Sequence, residues 1–74
     1  MTLAELKRHQ SSRITGFSHT GEALDRLQSL GVIPGAEAQV LRTAPLGDPL
    51  QVRVGHTLLS IRASDAEHIN VEAL

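Results

Sequence analysis

The sequence predicts a mainly β fold: a small, partly open barrel of about five short strands. One α-helix lies between the first two strands, and short helical turns lie near the termini. Three observations carry this expectation. Apolar and polar residues alternate in short runs from Ser11 to Val71. Glycine and proline punctuate those runs at Gly31, Pro34-Gly35, Pro45 to Pro49 and Gly55. Only the stretch from Thr20 to Leu30 repeats its apolar residues with a helical period.

Thr2 to Lys7 reads as a single helical turn. Thr2 can cap it, and Glu5, three residues on, completes a capping-box pattern. Leu3 and Leu6 share one face of that turn and are expected to tuck it against the barrel. Ser11 to Phe17 is the first strand. Simple alternation sends Ile14 and Gly16 to one face and Arg13, Thr15 and Phe17 to the other.

Thr20 is the expected N-cap of the main helix, with Glu22 and Asp25 suited to its positive end. Ala23, Leu27 and Leu30 make the inward stripe, which Leu24 widens. Gly31 stands where a left-handed residue ends a helix, and Val32 is placed to pack back on Leu27 in a Schellman stop. Pro34-Gly35 fits the centre of a type II turn: proline sets φ, and glycine accepts a positive one.

Ala36 to Thr43 is the next strand, with Ala36, Ala38 and Val40 inward. After the Pro45–Pro49 loop come two strands joined by Gly55-His56, a two-residue turn with glycine first, as type II′ requires. This turn pairs Val54 with Thr57, Val52 with Leu59 and Leu50 with Ile61 on the apolar face. Arg53 then opposes Leu58, and Gln51 opposes Ser60, on the other. A slip of one residue would bury Arg53, so the register is well specified. Ala63 to Glu67 is a one-turn connector with Ser64 as expected cap, and the last strand carries Ile69 and Val71.

Seventy-four residues make one domain, expected over residues 1–74. There is no cysteine, so neither a disulfide nor a Cys-based metal site is available. Leu, Val, Ile and Ala must build the core, with Phe17 as the only aromatic. A core of this size nets about 3–5 kcal/mol.

Seven basic residues face eight acidic ones. That balance, with no Tyr or Trp, argues against a nucleic-acid partner, which calls for phosphate neutralisation and base stacking. No apolar run approaches the roughly 20 residues of a membrane span, so no direct insertion is expected. The opening MTLAELKRHQ lacks a signal-type apolar stretch, and a cytoplasmic location is expected.

Several stretches together resemble one family. They are Ile14-Thr15-Gly16-Phe17, Arg26-Leu27, Leu30-Gly31, Pro34-Gly35, Ala44 to Pro49, Ile61-Arg62, Asp65-Ala66 and Val71-Glu72. In this order and spacing the chain is similar to FeoA, the ferrous iron transport protein A family, from about residue 10 to the end. The resemblance implies an SH3-like barrel and an accessory or regulatory role in ferrous iron uptake. The implied partner is the FeoB GTPase-permease, met at its cytoplasmic GTPase domain or its membrane region. It also implies a peripheral position at the inner membrane through that partner. Similar barrels close iron-dependent repressors of the DtxR type. That alternative needs a preceding helix-turn-helix, and so a longer chain than this one.

No catalytic constellation stands out. The serines lie at caps, turns and solvent faces, without a nucleophile-elbow context. No Walker-type loop is present, and no cofactor is called for. His9, His19, His56 and His68 form no HxH or HxxxH pair. Asp65 and His68 share a helical spacing, but two ligands are fewer than a transition-metal site wants. Direct metal binding, or a metallochaperone role, is the alternative of a different class.

A partner-binding surface is the stronger candidate. Leu46 tips a loop stiffened by two prolines, beside Gly47 and Asp48. Alternation sends Leu41 and Leu58 outward, and Leu24 lies on the helix flank. Together these residues form a candidate docking patch for a protein partner or for self-association. The plainer account is that helix and loop cover them, with Asp48 bonding nearby amides in its own tight loop. Arg26 either pairs with Glu22 at i, i+4 or approaches a phosphate of the partner's nucleotide.

Overall fold

The structure, a computed structural model, describes residues 1–74. A 3-10 turn over Leu3–Glu5 precedes strand β1 (Ser11–Phe17), helix α1 (Glu22–Ser29) and strand β2 (Glu37–Thr43). A second 3-10 turn (Pro45–Gly47) leads to strands β3 (Leu50–Val54) and β4 (Thr57–Ile61). Helix α2 (Ala63–Ala66) and strand β5 (Ile69–Ala73) complete the chain. The strands form one antiparallel sheet in the order β4-β3-β2-β1-β5, which leaves β4 and β5 as its edges. The expected five-stranded, partly open barrel is the fold.

Local chemistry explains most of the turns. The first turn is held by the Thr2 amide, which donates to Glu5 Oε1 at 2.7 Å. Leu3 and Leu6 are buried beneath it, as expected. The end of α1 is a Schellman stop: Val32 N–H donates to Leu27 O at 3.0 Å, and Gly31 N–H to Gln28 O at 3.1 Å. Gly31 stands at φ +107°, which favours glycine. Ala36 N–H closes the Pro34-Gly35 turn on Ile33 O at 3.1 Å. The β3–β4 hairpin has the expected register at every pair, from Val54–Thr57 to Leu50–Ile61.

Two bulges depart from simple alternation. In β1, Ile14 opposes Val71 and Gly16 opposes Asn70, so Thr15 is the extra residue. Phe17 then opposes Ile69, which lies on the same face as Val71. The bulge therefore turns Phe17 to the Ile14 side, where it packs on the core, contrary to the outward placement expected. In β2, Val40 opposes Val52 and Arg42 opposes Gln51, leaving Leu41 as the extra residue.

The core gathers one face of the sheet with Leu3, Leu6, Leu24, Leu27, Val32 and Ala66. Its single buried polar side chain, Ser12, donates to Ala38 O at 2.8 Å and so carries no unmet hydrogen bond. Helix α1 is rotated from the expected stripe. Leu24 is only 4% exposed, Ala23 is half-buried, and Leu30 is 48% exposed. The reason is the Schellman stop: the helix ends at Ser29, and the fully buried Val32 is the apolar anchor beyond it. The cap also differs. Gly21, not Thr20, stands at the N-cap, and its carbonyl accepts from Asp25 N–H at 2.9 Å. In α2 the N-cap is Arg62, which places Ser64 inside the helix rather than at its cap.

Candidate functional site

The Pro45–Gly47 turn is the most exposed apolar feature of the molecule. Pro45 opens the turn and Gly47 N–H donates back to Ala44 O at 2.9 Å. Two successive residues adopt left-handed backbone: Leu46 at φ +72° and Gly47 at φ +84°. Glycine takes this conformation freely, whereas a branched side chain at Leu46 stores about 1–2 kcal/mol of strain. The Leu46 side chain is fully exposed, at 104% of its reference area. The Asp48–Pro49 peptide is cis.

Asp48 bonds outside its own loop. Its Oδ1 accepts a hydrogen bond at 3.0 Å from the N–H of Ala63, the first residue of α2. That N–H is one of the donors a helix start leaves unpaired. The expected bond to a nearby amide is thus replaced by one that spans fifteen positions. Leu46 and Gly47 stand on a loop fastened at its far end to a second element.

The expected docking patch divides. Leu46 and Leu58 are exposed, Leu58 at 69%, as alternation placed them. Leu24 is a core residue and cannot dock a partner. Leu41, on its bulge, is half-buried rather than outward. Arg26 is exposed and forms no ion pair; the expected contact with Glu22 is not made. The carbonyl of Arg26 accepts from Ser29 Oγ at 2.7 Å.

The histidines separate into a pair and two singles. His19 and His68 stack with ring centroids 4.2 Å apart and planes 20° from parallel. Ser18 Oγ lies 3.3 Å from His68 Nδ1, and Ser18 N–H donates to His68 O at 3.0 Å. Periodicity misses this meeting, because it depends on β1 pairing with β5. The Phe17–Ile69 register brings Ser18 and His68 together. Asp65 instead faces Arg62, at 3.7 Å. No three His, Asp or Glu side chains converge.

On the outer face of the sheet, Ser11, Gln39 and Arg53 form a polar row across β1, β2 and β3. Arg53 Nη2 donates to Gln39 Oε1 at 2.7 Å, and Gln39 Nε2 donates to Ser11 Oγ at 3.2 Å and to His9 O at 2.9 Å. The shallow cleft there, about 500 Å³, is also lined by Glu37 and His56 and has Ala38 as its single apolar residue. An apolar enclosure suited to a small molecule is not formed.

No helix is long and apolar enough to cross a membrane. The FeoA domain model matches residues 1–73. Among solved structures, the FeoA protein of Chlorobium tepidum is similar at 40% identity and a TM-score of 0.93, over 100% of this chain and 70% of that one. The Stenotrophomonas maltophilia FeoA, complexed with zinc, is a prokaryotic SH3 domain protein and a candidate ferrous iron transport activating factor. It is 34% identical with a TM-score of 0.84, over 97% of this chain and 89% of that one. The IdeR protein of T. acidophilum shares the fold at 23% identity and a TM-score of 0.86, with this chain spanning 34% of it. With its SH3-like barrel and a match along nearly its whole length, the chain belongs to the FeoA domain family.

Proposed function

We propose that this chain is a non-enzymatic accessory protein of ferrous iron uptake, acting in the cytoplasm by contact with an FeoB-type GTPase-permease. Membership of the FeoA domain family supports the iron-transport role. The structural observation that carries the contact is Leu46: a large apolar side chain kept fully exposed, in strained backbone, on a fastened loop. A side chain that touches nothing in its own fold adds no core energy there, and burial against a partner would supply about 1.5–3 kcal/mol. The exposed and unpaired Arg26, with Gly47, Asp48 and Leu58, completes the proposed contact residues.

The test is titration of the protein against the transporter's cytoplasmic region in each nucleotide state, with iron uptake measured in a strain lacking this protein. Binding together with impaired uptake is expected. No binding in any nucleotide state, with uptake unchanged, overturns the reading.

A second reading makes the chain a direct metal binder, and the zinc complex of the S. maltophilia relative is the observation in its favour. Here two imidazoles meet at His19 and His68. Anaerobic Fe²⁺ calorimetry separates the readings. Binding no tighter than millimolar, and unchanged by His68→Ala, removes this one.

A further inference from the structure

The two edges of the sheet are finished differently. The outer side of β5 is covered by the N-terminal residues: Val71 N–H donates to Met1 O at 2.9 Å, and Asn70 bridges to Thr2. Strand β4 has β3 as its only strand neighbour. The hairpin closes on the hydrogen-bonded pair Val54–Thr57, and bonding alternates along an antiparallel ladder. Leu59 and Ile61 therefore face β3 with their backbone groups, while those of Leu58 and Ser60 point away from it. None of the turn and loop hydrogen bonds takes up Leu58 or Ser60.

Open edges are usually blunted by lysine, proline, a bulge or a covering segment. The sequence of β4, TLLSI, has no charge and no proline, and its register with β3 is unbroken. Leu58 stands exposed beside the unpaired groups. One edge is thus protected and the other is left ready for pairing.

We propose that the β4 edge receives an extended segment of a protein partner as a sixth strand. The inference rests on the transporter-partner reading above and names how that partner is held. Main-chain bonds to Leu58 and Ser60 give the attachment, and an apolar side chain against Leu58 gives selectivity. An acidic residue of the segment suits Arg62, whose side chain is 71% exposed and meets Asp65 only at 3.7 Å.

A second copy is the poorer occupant. Five residues of β4 against five of another copy bury far less than the roughly 1,200 Å² of a stable interface. The antiparallel register that pairs Leu58 with Ser60 also sets Arg62 opposite His56, which offers it no carboxylate. A partner segment continues past both strand ends and escapes both limits.

The experiment compares the full chain with Ser60→Pro and Leu58→Lys in binding to the transporter's cytoplasmic region, with thermal melts as the check on folding. Ser60→Pro removes an N–H that makes no bond in the fold, a position where edge strands accept proline. Both variants are expected to melt near the parent and to bind at least about tenfold more weakly. If Ser60→Pro fails to fold, Leu58→Lys, which keeps the backbone intact, decides alone. Parent and folded variants binding alike overturns the edge inference and leaves the accessory reading standing. No binding by the parent overturns the accessory reading and this inference with it. A parent that sediments as a dimer, made monomeric by Ser60→Pro, overturns the partner segment in favour of a second copy.

Discussion

Asp48 and Ala63 are joined by a hydrogen bond of 3.0 Å from the Ala63 amide to the Asp48 carboxylate, which ties the exposed loop to the first turn of α2. One side chain thereby does two things. It satisfies a helix-start donor and sets where Leu46 and Gly47 stand relative to the sheet.

Removing that carboxylate should loosen both elements. Asp48→Ala is expected to cost about 1 kcal/mol, the usual value of a lost helix-start acceptor. In a domain of this size that lowers Tm by about 4–8 °C. Asp48→Asn, which keeps an acceptor oxygen, should recover most of the loss. Thermal unfolding of the two variants side by side checks this; equal melting of Asp48→Ala and the parent would remove the tie from the account.

Leu46 separates stability from binding. Asn tolerates the left-handed backbone that Leu46 is forced into at φ +72°. Leu46→Asn should therefore leave stability unchanged or raise it by about 0.5–1 kcal/mol. The same change should weaken binding to the transporter's cytoplasmic region. A variant that is both less stable and equally good at binding contradicts the assignment.

Leu24 behaves in the opposite way. At 4% exposure it is core, and Leu24→Ala should cost about 2–5 kcal/mol, most or all of the stability of a domain this small. Denaturant titration reads the effect. A variant with parental stability would return Leu24 to the surface.

Acid should release the first turn before the sheet. The Thr2 backbone amide, bonded to Glu5 Oε1, holds the Glu5 carboxyl below its ordinary 4.5. A group lowered in the folded state contributes above its unfolded value and loses that contribution as pH falls through the lowered one. The Thr2 amide resonance should therefore titrate below pH 4.5, and Glu5→Gln should abolish that titration. An amide shift that persists in Glu5→Gln would assign it to another group.

The local elements were readable from the residues because their causes are local. Gly31 with Val32, Pro34 with Gly35, and Gly55 with His56 each demand a backbone conformation that few neighbours can override. The β3–β4 register follows from one turn and from the cost of burying Arg53. Family membership was equally legible, since the spacing of these turns runs along the chain.

What only the tertiary structure decided concerns residues whose neighbours come from elsewhere. Thr15 became a bulge in the pairing of β1 with β5, and Leu41 one in the pairing of β2 with β3; the first turned Phe17 inward and the second left Leu41 half-buried. Leu24 exchanged places with Leu30 because the chain folds back through Val32. The Asp48–Ala63 bond, the His19–His68 stack and the uncovered edge of β4 depend on which strands lie side by side. Periodicity carries no information about that order, because strand pairing is settled by long-range packing rather than by any residue's near neighbours.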